Sequence, residues 1–160
     1  MSHDTENLTI LHLVDVPRVL PVLARWFVGE WGPYYEPEGP GGAEADLQAA
    51  GDRDRIPICL VALDATGDAA GTIALRAESV PSHRHLSPWL AALFVTPERR
   101  RRGIGAALIT ALEGEARRLG YDRLYVATDV LTGYAERRGW RPFDEAPTLR
   151  GRSTVYSLDL

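Results

Sequence analysis

The chain has 160 residues, of which 45% are hydrophobic and 25% are charged, and its formal net charge is −4 at pH 7. This length and balance predict one domain over 1–160 and exclude a dinucleotide-binding domain with a separate substrate domain. No apolar run is long enough to span a bilayer, the N-terminus does not resemble a signal peptide, and a lone cysteine excludes an intramolecular disulfide. We therefore expect a cytoplasmic protein without a membrane partner.

Strand-like and helix-like patterns alternate along the first half of the chain. The first predicted strand covers 8–14, and a helix then runs to about residue 28, with Asp15 as its N-cap and Pro17 in its first turn. Glycine and proline are dense over 29–42, which predicts a long loop. The remaining predicted elements of this half are a helix over 43–50 and a hairpin of strands over 58–63 and 70–76.

The second half is organised around one amphipathic helix. Ile104, Leu108, Leu112 and Leu119 fall on its apolar side, and Gly120 is expected to end it. The other predicted elements are a loop over 80–88, strands over 89–95, 124–127, 140–143 and 154–158, and a short helix over 131–138. Together these elements predict a mixed α/β domain.

A basic, glycine-containing turn joins the strand over 89–95 to the amphipathic helix. Arginines occupy 99–102, and Gly103 and Gly105 follow. Such a turn directs several backbone N–H groups toward one point at a helix N-terminus, where the dipole adds roughly half a positive charge. Arginine forks bind phosphate, and glycine lets the backbone approach a ligand closely. The segment therefore predicts a pyrophosphate-binding cradle.

Two other phosphate-binding patterns fit this turn less well. A P-loop needs lysine and then serine or threonine after its second glycine, and neither follows Gly105. A dinucleotide fingerprint needs a third glycine, where this chain has Leu108, although Asp122 and Asp129 downstream leave a nicotinamide or flavin site open. A nucleic-acid-binding module that uses the arginines also stays open, but the net negative charge argues against nucleic acid as a partner.

The pattern that remains is glutamine or arginine, two residues, glycine, one residue, and glycine or alanine. Arg100, Gly103 and Gly105 fill it, after a strand that ends at Val95 with Pro97 close behind. This resembles the acyl-CoA signature of the GNAT family of N-acetyltransferases, and it implies acetyl-CoA as co-substrate. Arg101 departs from the pattern, since family members often have glycine there. The residues that the resemblance assigns to acyl-CoA binding are Leu93, Phe94, Val95, Arg100, Arg101, Arg102, Gly103, Ile104, Gly105 and Ala106.

The order of the predicted elements over 8–158 also resembles this family. It implies an α/β (α+β) fold with a mixed, mostly antiparallel central sheet flanked by helices, the acyl-CoA N-acyltransferase fold. In that fold the strand over 89–95 and the next strand splay apart. Pantetheine enters the gap and pairs with exposed backbone near Leu93 and Val95, as an added strand would.

A second segment, from Gly133 to Trp140, resembles the later part of the family pattern: a tyrosine, a few helical residues, a glycine and an aromatic residue. The resemblance makes Tyr134 the general acid that protonates the CoA thiolate. A phenol with a pKa near ~10 is protonated at neutral pH and suits this role. A packed tyrosine with a satisfied hydroxyl is the alternative.

No carboxylate stands in the middle of the central strand, where relatives often have glutamate, because Ala91 and Ala92 occupy it. Glu78, near the end of the preceding strand, is the best substitute as a general base. His83 and His85 on the following loop come next, since imidazole titrates near pH ~6.5. They lack a third partner for a metal site, and we expect no metal. A water chain without a dedicated base is a further alternative.

The acceptor site is expected where the loop after the first helix meets the loop before the central strand. Aromatic and acidic residues could together enclose a cationic amine. The same residues could instead anchor a long loop or form a dimer contact, so a homodimer stays open. The residues concerned are Trp26, Trp31, Tyr34, Tyr35, Glu36 and Glu38 of the first loop, with His83 and His85 of the second.

These patterns favour an N-acetyltransferase in which a primary amine of a small molecule or peptide attacks acetyl-CoA directly. The missing carboxylate on the central strand keeps a second hypothesis open, a non-catalytic acyl-CoA-binding or sensing domain. The acceptor itself does not follow from the fold, because one fold supports many acceptors.

Overall fold

A computed structural model describes residues 8–35, 41–148 and 151–160 of the chain. The strands of these residues are β1 (Thr9–His12), β2 (Ile58–Leu63), β3 (Ala69–Arg76), β4 (Trp89–Val95), β5 (Arg123–Thr128), β6 (Arg141–Thr148) and β7 (Gly151–Asp159). They form one seven-stranded sheet in the spatial order β1-β2-β3-β4-β5-β7-β6. Every neighbouring pair is antiparallel except β4 and β5, which are parallel. The predicted mixed, mostly antiparallel sheet is confirmed.

The α-helices of the described residues are α1 (Leu20–Glu30), α2 (Gly32–Tyr35), α3 (Ala43–Ala49), α4 (Ile104–Arg118) and α5 (Thr132–Arg137). α4 packs on β2, β3 and β4, whereas α1 contacts α2 and α3. Within the part of the chain that the structure describes, no helix has the length and apolar character needed to cross a membrane.

Alternating residues of β2 divide the core into two layers, one on each side of the sheet. Ile58, Leu60 and Ala62 are buried with residues of α4. Cys59 and Val61 are buried with residues of α1 and α3. We call these two sides of the sheet the α4 face and the α1 face.

β4 and β5 touch at one point only. Trp89 and Tyr125 are their single register pair, and the Tyr125 N–H donates to the carbonyl of Pro88 at 3.1 Å. The two aromatic rings pack with their centroids 5.5 Å apart, and Trp89 is fully buried. β3 pairs with the other edge of β4, and β7 pairs with β5 along its whole length. Beyond Trp89 the two central strands therefore separate, as the sequence predicts.

A β-bulge lies in the middle of β4. Phe94 pairs with Thr72 and Ala91 pairs with Ala74, so β4 has one more residue than β3 between these pairs. Ala92, within the bulge, has φ of +54°. This conformation is unfavourable for a residue with a Cβ. A bulge rotates the chain locally and redirects its backbone groups, and this one lies beside the point where β4 leaves β5.

Two predictions near the N-terminus are wrong in detail. β1 ends at His12, because the chain turns into a 3-10 helix at Leu13–Asp15 that buries Leu13 in the α1-face core. Asp15 is not an N-cap: its carboxylate pairs with the guanidinium of Arg53. The α-helix begins at Leu20, after a second 3-10 turn, with Pro21 in its first turn, where a missing N–H costs little.

Other predicted boundaries also change. The predicted loop over 29–42 begins late, because α1 continues to Glu30 and α2 follows it; Glu36 and Glu38 lie outside the described residues. β6 and β7 are longer than predicted. Pro142 and Pro147 argue against a strand, yet β6 is an edge strand, where proline removes no necessary hydrogen bond.

Gly71 in β3 is required by the close approach of β4 and α4. A Cβ at Gly71 would lie 2.9 Å from the carbonyl oxygen of Phe94 and 3.1 Å from Cδ1 of Leu108. We expect Gly71→Ala to lower the free energy of unfolding by about 1–3 kcal/mol through overpacking. Gly114 is the control, since a Cβ there meets no atom within 4 Å.

Gly114→Ala, in the interior of α4, should raise the free energy of unfolding by about 0.5–1 kcal/mol. Urea denaturation of both variants measures the difference. Equal changes in the two variants would show that contact between β3 and α4 does not limit the size of residue 71.

Candidate active site

The turn before α4 builds an anion-binding end on this helix. Gly103 is the N-cap with φ of +83°, and no side chain caps the helix. The first helical bond runs from the N–H of Ala107 to the carbonyl of Gly103, at 3.0 Å. The N–H groups of Ile104, Gly105 and Ala106 precede that bond and are available to a ligand. A Cβ at Gly105 would approach only a Val95 methyl group, at 3.9 Å.

The four arginines of the turn differ in their contacts. Arg99 pairs with Asp64 of the β2–β3 turn at 2.7 Å, which ties the cradle to the sheet. Arg100 donates from Nε to the carbonyl of Val95 at 2.9 Å, and its guanidinium lies 5.4 Å from the centroid of the Phe94 ring. The side chains of Arg101 and Arg102 are exposed. Arg99 and Arg100 therefore shape the turn, and the exposed Arg101 and Arg102 place two further positive charges beside the start of α4.

Arg101 has φ of +66°. This is the position where members of the family often have glycine, and its left-handed backbone gives the physical reason for that preference. Among the described residues, Arg101 and Ala92 are the non-glycine residues with positive φ, and both lie at the candidate site. Such strain persists only where the surrounding structure enforces it.

The open edge of β4 faces the gap toward β5. Leu93, Phe94 and Val95 are half-buried, and Leu93 and Val95 pack at the margin of the α4-face core. None of them pairs with β5. An extended amide-containing ligand can pair with such an edge. Since Arg100 already binds the carbonyl of Val95, pantetheine would either use other backbone groups of β4 or displace this side chain.

Tyr134, on α5, has a buried hydroxyl with no hydrogen-bond partner among the described residues. The ring packs against the same core as Leu93 and Val95. Burial raises the pKa of the phenol above its ordinary value of 10.0; the nearby Arg138 guanidinium opposes this and Glu113 adds to it. An unsatisfied buried hydroxyl costs about 1–3 kcal/mol. Tyr134 is therefore a protonated donor without an acceptor.

An ion pair between a buried carboxylate and a more exposed arginine positions Tyr134, and the sequence analysis missed it. The carboxylate of Glu113 on α4 is almost fully buried and accepts bonds from Arg138, at 2.5 Å, and from Nε1 of Trp140, at 3.3 Å. The Arg138 guanidinium in turn lies 5.6 Å from the centroid of the Tyr134 ring. Glu113 stands next to Leu112 on the inner side of α4. A carboxylate at such a position is the one feature of the sequence that could have indicated this ion pair.

Glu78 and the two histidines lie near the start of β4 in three different environments. Glu78 follows the end of β3, and its side chain is 60% exposed and 3.8 Å from Arg84. His83 is buried, with Nε2 at 2.8 Å from Asp144 on β6 and Nδ1 at 2.7 Å from the hydroxyl of Ser82. His85 is exposed and stacks on His83, with ring centroids 5.9 Å apart.

The bond to His83 lowers the pKa of the Asp144 carboxyl, and the backbone N–H of Glu145 lowers it further. Asp144 had no place in the sequence-based site, because a contact between residues 83 and 144 depends on the pairing of β6 with β7. Of the three groups, Glu78 is open to solvent, whereas both ring nitrogens of His83 already have partners.

Aromatic residues at the end of α1 and in the chain that follows it form a row along the α1 face. Trp26 and Trp31 pack on Phe94 of β4, with centroid distances of 5.2 Å and 6.5 Å. Tyr34 is half-buried against the ring of Tyr35, whereas Tyr35 is buried against Phe27. The hydroxyl of Tyr35 donates to Asp46 at 2.7 Å, which leaves Tyr35 the least suited of these residues to contact an acceptor.

The chain matches the model of the Acetyltransferase (GNAT) family over residues 20–140. The chain belongs to this family. The match includes the cradle, the separated central strands and Tyr134, and acetyl-CoA is therefore the co-substrate. A search of curated protein sequences finds no match.

Solved structures of acetyltransferases share the fold. An aminoglycoside 6'-N-acetyltransferase complexed with coenzyme A superposes with a TM-score of 0.73 and 16% identity, over 94% of this chain and 96% of that one. The aminoglycoside 6'-N-acetyltransferase from Enterococcus faecium gives 0.71 and 16%, over 94% and 96%. An acetyltransferase of the GNAT family from Streptococcus pneumoniae gives 0.67 and 18%, over 96% and 99%. At these identities the likeness shows the fold alone.

Replacing Arg101 by glycine should separate strain from binding. Glycine accepts a positive φ, so we expect Arg101→Gly to raise the free energy of unfolding by about 1 kcal/mol. The same change removes a guanidinium beside the cradle, and coenzyme A should bind about 3- to 10-fold more weakly. Thermal unfolding and calorimetric titration with coenzyme A measure the two effects.

Arg117→Gln, an exposed substitution near the C-terminal end of α4, is the control and should change neither quantity. If Arg101→Gly binds coenzyme A as tightly as the natural chain, Arg101 does not contribute to the phosphate site.

Proposed function

We propose that the protein is an N-acetyltransferase that moves the acetyl group of acetyl-CoA to a primary amine of a small molecule or peptide by direct attack. The observation that carries this proposal is the unpartnered, buried hydroxyl of Tyr134. It combines with an open helix N-terminus and an unpaired strand edge in one region of the fold. These are the groups that a thioester donor needs: a pyrophosphate site, a site for the pantetheine arm and a proton donor.

Each group has a physical task in this proposal. The N–H groups at the start of α4 and the exposed arginines bind pyrophosphate, which is favoured at a helix N-terminus. The backbone of β4 near Leu93 holds the pantetheine arm and aligns the thioester with the amine. Holding two reactants in one geometry lowers the barrier by up to about 7–11 kcal/mol. Tyr134 donates its proton to the CoA thiolate as the C–S bond breaks, and the amine nitrogen forms the new bond to the acetyl carbon.

The amine must lose a proton, and we propose Glu78 as its base. Its carboxylate is exposed near the start of β4, and Ala91 and Ala92 provide no acid closer to the bulge. His83 is less suited, since Asp144 and Ser82 occupy both of its nitrogens. A chain of waters can connect an amine with a carboxylate that lies beyond direct reach.

Tyr134→Phe tests the proposal. Removal of a general acid costs about 10²-fold in kcat, whereas acetyl-CoA affinity should hardly change. Burial raises the pKa of Tyr134 above its ordinary value, so the acid stays protonated at neutral pH and kcat of the natural chain should fall only at strongly alkaline pH, where the phenol ionises. The variant should lack that alkaline decline. CoA release is measured with aminoglycosides, polyamines, amino acids and short peptides as acceptors.

Tyr121→Phe, just beyond the end of α4, is the matched control and should leave kcat unchanged. Equal turnover in Tyr134→Phe would remove this residue from the mechanism. Tight binding of acetyl-CoA with no release on any acceptor would favour the acyl-CoA-binding or sensing domain instead.

A further inference from the structure

Arg76, the last residue of β3, brings a positive charge to the α1 face near the start of β4. Its register partner is Trp89, and Ala74, two residues earlier, pairs with Ala91. Paired residues share a face of the sheet, and Ala74 also pairs with Cys59, which belongs to the α1-face core. The Arg76 side chain therefore projects on the side where the aromatic row lies.

The guanidinium of Arg76 lies at one end of that row. It is 6.0 Å from the centroid of the Phe27 ring, and Phe27 packs on Trp31 at 5.3 Å. Trp31 then contacts Phe94 of β4. A chain of packed aromatic rings, of which Phe27 is fully buried and Trp31 and Phe94 are half-buried, thus leads from the Arg76 guanidinium to the strand whose other edge faces the gap.

Arg76 has no anionic partner in the part of the chain that the structure describes. No carboxylate there lies within ion-pair distance of its guanidinium, whereas Arg99, Arg118, Arg123 and Arg138 each pair with an acid. The polar neighbour of the guanidinium is the uncharged Tyr35 hydroxyl, with which it shares a hydrogen bond. Its charge lowers the pKa of the Tyr35 hydroxyl, although burial dominates and raises that pKa to about 12. That hydroxyl in turn donates to Asp46 at 2.7 Å, so Tyr35 connects the guanidinium to Asp46 only indirectly.

A half-buried guanidinium is costly where, as here among the described residues, it has lost part of its hydration and gained only neutral neighbours, the Tyr35 hydroxyl and the Phe27 ring. Its planar fork matches a carboxylate better than any other common group. The register places Arg76 beside Trp89, three residues before Ala92, which is about 10 Å along the strand. An arginine side chain can span most of that distance toward a ligand at the bulge.

We propose that Arg76 binds the carboxylate of the acceptor, and that the acceptor is an α-amino acid with an apolar or aromatic side chain. The aromatic row receives this side chain. The inference rests on the proposed N-acetyltransferase function and names its substrate class. A polycation such as an aminoglycoside would meet the Arg76 charge as a repulsion, which is how a site rejects the wrong partner.

Matched acceptors isolate the carboxylate. Phenylalanine and leucine are compared with phenylalaninamide and leucinamide, which keep the amine and the side chain but lose the negative charge. A charge-assisted pair contributes about 1.5–3 kcal/mol, so kcat/KM for each acid should exceed that for its amide by about 10- to 100-fold. Kanamycin serves as the polycationic acceptor and should be slower than either amino acid.

Arg76→Gln should remove this preference, lowering kcat/KM for the acids by about 10- to 100-fold and leaving the amides unchanged. Arg76→Lys keeps the charge without the fork and should keep part of the preference. Arg117→Gln, on the opposite face, should behave as the natural chain. Circular dichroism and thermal unfolding show whether each variant is folded.

Binding distinguishes the failure of this inference from the failure of the proposed function. Tryptophan fluorescence of the natural chain with coenzyme A is titrated with phenylalanine and with its amide, which needs no turnover. Equal affinity or equal turnover for acid and amide would overturn the role of Arg76, whether or not acetyl transfer occurs. A preference for the acid that persists in Arg76→Gln would overturn it as well.

Discussion

The single parallel pair between β4 and β5 is the constraint on which the candidate site depends. Trp89 and Tyr125 hold the two strands together at one end, and pairing with β3 and β7 holds the strands apart beyond it. The sheet is thereby kept open without loss of its core, because α4 covers one face and α1 with α3 covers the other. The open edge of β4, the start of α4 and Tyr134 on α5 all follow from this separation, since each belongs to an element next to β4 or β5.

Unfavourable features of the described residues are concentrated in this region. Ala92 and Arg101 have left-handed backbones, and the hydroxyl of Tyr134 is buried without a partner. Arg76 has no carboxylate of the described residues beside it. Each feature costs stability in the isolated chain, and such costs are typical of residues at binding and catalytic sites. The buried carboxylate of Glu113, by contrast, has hydrogen-bond partners in Arg138 and Trp140, and its pair with Arg138 fixes the position of Tyr134.

Patterns among neighbouring residues correctly predicted several strand bounds and helix ends. β2 and β4 have the predicted bounds, and Gly120 and Gly139, with φ of +87° and +90°, follow α4 and α5 as expected. The site residues that depend on register were not predictable. Asp144 meets His83 only because β6 lies at the edge of the sheet. The charge of Arg76 stands out only once the described part of the chain is seen to place no carboxylate beside it. The sequence does not indicate the bulge at Ala92, because the chain has alanines there and a glycine is the residue that often marks a bulge.

Amide hydrogen exchange with and without coenzyme A tests the central claim most directly, because it reports backbone pairing at β4. The account predicts slower exchange at Leu93 or Val95 and at residues 104–106 when coenzyme A binds, with little change in β6. Tyr134→Phe should show the same protection, since that residue acts on the thiolate and not on the backbone of β4. Saturating coenzyme A without protection of β4 would contradict the claim that the open strand edge receives the pantetheine arm.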